Sequence, residues 1–188
     1  QNELVEIGAD AFTSNKKLFN NNEYMEVYTV TYNMCTQVPD NWSAELYQRH
    51  GNWLDEYLTE HVLPFLTRLE NVQGSCALLD ELVRRGDNHT VMNKWMVKFF
   101  MYLDRFHIEY NNLPTLTETG LEKFKLMVFD PVKVSVTSLI LDLVNKERGG
   151  DAIDRPVISN TIKLFERMGM DTLDVYNNDF EKPFLDGT

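Results

Sequence analysis

Residues 87–110, DNHTVMNKWMVKFFMYLDRFHIEY, form the most apolar and aromatic long run in the chain and are bounded on both sides by turn-forming residues. The run reads as one long helix. Asp87 or Asn88 opens it, because a short side-chain oxygen can accept from first-turn N–H groups that have no partner inside a helix, and it closes near Tyr110, ahead of Asn111, Asn112 and Pro114. Met92, Met96, Phe99, Leu103 and Phe106 recur at helical spacing and predict a stripe facing a core. Trp95, Val97, Phe100, Met101 and Tyr102 lie outside that stripe, and a helix apolar around most of its circumference is buried on several sides or meets a partner. A membrane span is excluded for this run, since Lys94, Lys98, Asp104 and Arg105 interrupt it before it reaches the roughly 20 apolar residues a bilayer requires.

Outward from this helix, the composition is that of an ordinary globular chain: 188 residues, 43% hydrophobic and 12% aromatic. A net charge of −11 argues against nucleic acid and anionic membrane as partners of the surface as a whole. Cys35 and Cys76 both fall in apolar-periodic segments and read as buried, reduced thiols, which suits a cytoplasmic and nuclear protein better than a disulfide framework. The chain opens at Gln1 without a secretory segment and reads as a piece of something longer.

In order, residues 3–19 predict a weak first helix ended by Asn20, Asn21 and Asn22. EYMEVYTVTYNMCTQ, residues 23–37, carries the β-branched residues of a strand but the spacing of a helix. On a helix, Val27, Val30, Met34 and Val38 share one arc, assigned to the core, while Tyr24, Met25, Tyr28 and Tyr32 share another roughly 130° away. Two apolar faces imply two separate burials. Residues 43–69 continue with helical spacing and a kink or break at Pro64. Residues 72–85 turn Leu78, Leu79, Leu82 and Val83 inward, with Arg84, Arg85 and Gly86 as a stop signal. After Pro114 come helices over 117–129, from Asp130-Pro131 to about Arg148, from Asp154 to Gly169, and a last one holding Val175, Tyr176, Phe180 and Phe184. The expected class is all-α: a five-helix bundle over residues 1–112 followed by a partial second helical unit over residues 113–188.

Catalytic and metal-binding patterns are missing. There is no Glu-x-x-His pair, no His-Glu-x-x-His and no Cys-x-x-Cys, and His50, His61, His89 and His107 lie in different segments without ligand spacing. No cofactor is implied.

Four runs carry a family resemblance: EYMEVYTVTYNMCTQ, KWMVKFFMYLDRFHIEY, LVNKERGGDAIDRPVISNTIKLFERMGM and VYNNDFEKPFL. They resemble the N-terminal region of cullins, most closely the type that scaffolds SCF ubiquitin ligases, and NMCTQ has a plant-like character. The resemblance implies tandem cullin repeats and a non-catalytic scaffold of a cullin-RING ligase. Its first repeat would bind an adaptor of BTB/POZ fold that carries an F-box substrate receptor. The docking face then falls on Tyr24, Met25, Tyr28 and Tyr32 of the second helix and on Tyr102, Arg105, Phe106, His107 and Ile108 of the fifth. His107 stands where relatives usually have an aromatic residue. Lys94, Lys98 and Arg105 form a small basic stripe in an acidic chain, which suits an acidic partner. Two readings compete with this one. The first is a small helical enzyme whose site would be a deep pocket of His and carboxylates; the second is an unrelated helical-repeat module, disfavoured by the absence of a fixed short period.

Overall fold

The computed structural model describes residues 18–70 and 76–186. The first helix expected over residues 3–19 lies outside the described residues, apart from Leu18 and Phe19.

The β-branched segment is helical: α1 spans Asn21–Thr36. Its start is set by a capping box in which Asn20 Oδ1 accepts from the Asn22 and Glu23 amides at 2.8 and 3.0 Å, while the Glu23 carboxylate accepts from the Asn20 amide at 2.6 Å. The threonines that favour a strand are accommodated by back-bonding along the helix. Thr29 donates to the Met25 carbonyl and Thr36 to that of Tyr32, each four residues earlier.

Helix α2 covers residues 43–70 in three consecutive parts, Ser43–Tyr57, a π-helical turn Leu58–Val62, and Leu63–Glu70. Asn41 Oδ1 accepts from the Ser43 amide at 2.8 Å and leads the chain into it. Helix α3 runs from Ala77–Phe99 on through residues 101–110, with a π-helical turn at Leu103–Ile108. The stop expected at Gly86 is therefore absent, and the two helices expected around it are one. Gly86 is buried mid-helix, where a Cβ would stand 2.9 Å from Leu164 Cδ1; close approach, not termination, accounts for the glycine. The far end is as expected, with Asn111 and Asn112 in a turn and Asn112 at φ 51°.

Helix α4 covers residues 116–148 (Leu116–Phe124, a π-helical turn Lys125–Phe129, and Asp130–Arg148), so Asp130-Pro131 does not divide it. Helix α5 is Arg155–Met168, capped by Asp154. Helix α6 joins Asp174–Tyr176, a π-helical turn Asn177–Glu181, and Lys182–Asp186.

Three of these π-turns share a cause. Pro64, Pro131 and Pro183 each follow a π-turn two residues after its end. Proline lacks the N–H that would bond the carbonyl four residues back, and its ring collides with that carbonyl. In each case the carbonyl in question, of Glu60, Met127 or Asp179, sits inside the widened turn. The Asp179 carbonyl finds a substitute donor in the Thr137 hydroxyl at 2.9 Å.

The chain packs as two compact units that draw on both sides of residue 112: Gln1–Trp53 with Asp87–Gly120, and Leu54–Gly86 with Leu121–Thr188. The second unit holds the larger core, with Leu58, Leu66, Leu79, Phe124, Phe129 and Phe165 almost fully enclosed. The core of the first unit gathers Cys35, Leu103, Ile108 and Leu116, flanked by Tyr47, Phe100 and Tyr102. Burial pushes the Cys35 thiol up from its ordinary value, against the opposing hydrogen bond of Ser43, as expected of an inert thiol; Cys76 is only half-buried.

Candidate functional site, an exposed aromatic face

Helix α1 and the second half of α3 meet in the first unit, and the face each turns inward differs from the periodicity reading. The buried residues of α1 are Thr31 and Cys35, and the Thr31 hydroxyl reaches the Phe99 carbonyl of α3 at 2.6 Å. Val27, Val30 and Val38, assigned to the core, are exposed, with Val30 at 55%. The valine arc is therefore an outer face. Counting apolar residues favoured it because the inward contact is carried by a hydroxyl and a thiol, which hydropathy underrates.

The aromatic arc of α1 runs on into rings of α3. Tyr24, Tyr28 and Tyr32 stack in sequence along α1, with ring centroids 6.0 and 6.2 Å apart. Tyr32 then meets Tyr102 of α3 edge-on at 4.9 Å, and Tyr102 lies 4.4 Å from Phe106. At the other end, Tyr24 faces Phe99 at 6.1 Å, and Phe99 adjoins Trp95 at 5.7 Å. Five of the nine expected positions, Tyr24, Tyr28, Tyr32, Tyr102 and Phe106, thus form one continuous file of rings across two helices. Tyr32 and Phe106 are its exposed members, at 40% and 57%, and Met25 of α1 is exposed at 51%.

The expected positions Ile108, His107 and Arg105 lie outside the ring file. Ile108 is 1% exposed and belongs to the first unit's core, so it cannot touch a partner and is withdrawn from the face. His107 is half-buried and turned toward α2, its ring 6.5 Å from Tyr47 and its Nδ1 3.3 Å from Asn111 Nδ2. Arg105 is exposed, as are Lys94 and Lys98. Trp95 was not among the expected site residues. The Lys98 ammonium lies 4.4 Å from its ring centroid, which ties the basic stripe to the aromatic file. The signal was present, since Trp95, Phe99, Tyr102 and Phe106 follow 4,3,4 spacing, but the apolar stripe through Met92 and Met96 obscured it.

Elsewhere the remaining polar groups serve structure. His89 Nε2 lies 2.7 Å from the Gly120 carbonyl, and Thr115 and Glu118 form a capping box at the start of α4, where Asp104 also accepts from the Leu116 amide at 3.1 Å. Among the described residues no group of three or more His, Cys, Asp or Glu could hold a metal ion, and no helix is long and apolar enough to cross a membrane.

Comparison with known proteins agrees with this architecture. The family model for the cullin alpha solenoid domain matches residues 4–188. Cullin-1 of Oryza sativa subsp. japonica is 40% identical over 171 residues, covering 90% of this chain and 22% of that protein. Putative cullin-like proteins 1 and 2 of Arabidopsis thaliana are each 34% identical, over 90% and 88% of this chain and 23% and 44% of their own lengths. The chain thus spans less than half the length of each of these relatives. With an all-helical fold and a match along nearly its whole length, the chain belongs to the cullin family.

Proposed function

We propose that this chain is the adaptor-binding end of an SCF-type cullin-RING ubiquitin ligase, working in the cytoplasm and nucleus. In this reading, residues 1–112 are the first cullin repeat and residues 113–188 part of the second. The chain itself catalyses nothing. It holds an adaptor of BTB/POZ fold, with its F-box receptor and substrate, while transfer chemistry takes place on parts of the ligase beyond this chain.

The single observation that carries the proposal is the file of rings from Tyr24 to Phe106, which presents exposed aromatic and methionine side chains from two helices on one side of the first unit. Tyr, Phe and Met are enriched at interface centres, where they bury large areas while keeping a polar tip or an adaptable shape. Lys94, Lys98 and Arg105 add a positive rim to a chain of net charge −11 and favour an adaptor that is acidic where it docks. An exposed ring surface of this kind supports docking better than it supports an enzyme.

Calorimetric titration of the chain with a recombinant plant adaptor of BTB/POZ fold tests the reading. A saturable complex of about micromolar affinity or tighter is expected, and no heat beyond dilution at adaptor concentrations near 100 times that value would sink it. His107 provides a finer check. We place it at the edge of the face with its ring toward Tyr47, so the phenyl ring of His107→Phe can lie in the same position. Affinity is expected to hold or improve, within about threefold; a large loss with an unchanged melt would give the imidazole a role of its own.

A further inference from the structure

Of the four π-turns among the described residues, Leu103–Ile108 alone has no proline behind it: Tyr110 occupies the place held elsewhere by Pro64, Pro131 and Pro183. A π-turn amounts to one extra residue in an α-helix, is rare, and is frequently found at functional sites. Its effect here follows from the angles. At about 100° per residue, an α-helix would put Phe106 about 60° and Ile108 about 140° from Leu103; at the roughly 80–85° of a π-turn they fall about 115° and 50° from it. The structure agrees, with Leu103 and Ile108 buried in the core and Phe106 57% exposed. The same rotation lines Phe106 up with Tyr102, about 100° from Leu103 on the same side, and their rings stand 4.4 Å apart.

The core does not need the extra residue. With one residue removed, Ile108 would follow Leu103 at ordinary four-residue spacing and stay inward. What the extra residue changes is the direction of Phe106. We propose that the Leu103–Ile108 π-turn is a presentation device for the docking face: it sets Phe106 in file with Tyr102 and Tyr32 without removing Ile108 from the core, and so governs affinity for the BTB/POZ-fold adaptor. This rests on the docking reading given above.

Deletion of Arg105 tests it. Arg105 is exposed, and its loss restores α-helical spacing while Asp104 keeps its place to cap α4. His107 and Ile108 then move by less than about 30°, whereas Phe106 swings roughly 45°, a displacement on the order of 4 Å at the helix surface. The variants to compare are the deletion, Arg105→Ala, which removes the side chain but keeps the turn, and Phe106→Ala, each titrated with the adaptor and melted. Phe106→Ala is expected to weaken binding about 30-fold or more, and the deletion about 10-fold or more beyond whatever Arg105→Ala loses with its rim charge. The deletion's melt should match or exceed that of the parent. If Phe106→Ala binds poorly while the deletion binds as well as Arg105→Ala, the presentation role is overturned and the docking reading stands. If Phe106→Ala keeps full affinity, the docking reading itself fails at this position. Deletion of His107 straightens the same turn from its other side and turns Phe106 roughly 55° the opposite way, toward Leu103. Should both deletions lose a cooperative melt, the turn is required by the fold, which also overturns the proposal.

Discussion

The double variant Met25→Ala/Phe106→Ala is expected to bind the adaptor about a thousandfold more weakly than the parent chain while melting within a few degrees of it. The two residues come from different helices, and each is more than half exposed in the free chain, at 51% and 57%. Truncation therefore opens no cavity. The stability cost is limited to partial packing and to the Tyr102–Phe106 ring contact, together about 1 kcal/mol. At the interface the same side chains would be enclosed, and truncating such an anchor costs about 2 kcal/mol or more. Two losses, if they add, come to about 4 kcal/mol, which is about a thousandfold in Kd. Titration with the adaptor alongside thermal melts decides the matter. Unchanged affinity would mean that the ring file is surface cover. Tyr28→Ala is a poorer probe, because Tyr28 is half-buried between Tyr24 and Tyr32 and its removal disturbs the packing of α1 as well as any interface.

The all-helical fold was legible in the sequence because apolar spacing of three and four residues recurs along the whole chain, and Asp154 stood where a helix begins; Asn20, read only as part of a break, proves to cap α1. What could not be read was the direction of individual faces. On α1 the inward contact is made by Thr31 and Cys35, while the more hydrophobic Val27 and Val30 face outward, so any scale that ranks residues by hydropathy reverses the helix. On α3 the strict 4,3 stripe placed Phe106 inward, and the π-turn rotates it out and brings Ile108 in. A one-residue insertion in a helix leaves no mark on composition. Where proline accompanies the turn, as at Pro64, Pro131 and Pro183, the residue that appears to break the helix marks the point where the helix widens and continues.

Glycine misleads in a similar way, and Gly169 carries the largest expected effect on stability. The sequence ends this helix at Gly169, and glycines that follow helices commonly take a left-handed conformation. In the structure Gly169 has φ −72°, which any residue adopts, and the left-handed positions fall on Met170 and Asp171, at φ 45° and 68°. The constraint is space: a Cβ on Gly169 would lie 2.0 Å from the Thr172 carbonyl oxygen and 3.1 Å from that of Glu166. Both neighbours are backbone, and the Thr172 amide and hydroxyl bond back to the Gly169 carbonyl at 3.1 and 2.9 Å, so the turn cannot yield without losing those bonds. The turn also delivers α6, whose Val175 and Phe180 close the larger core beside Phe165. Gly169→Ala is therefore expected to cost about 3 kcal/mol or more, lowering Tm by about 10 °C for a domain of this size. Gly149 is the control. It too follows a helix with φ −75°, but a Cβ there would stand 3.3 Å from its nearest neighbour, so Gly149→Ala is expected to change stability by less than about 1 kcal/mol. Thermal melts of the two variants side by side separate the explanations: equal, small effects would mean that the 169–172 turn relaxes freely, and a large loss confined to Gly169→Ala would show that the missing Cβ is what lets α5 turn into α6.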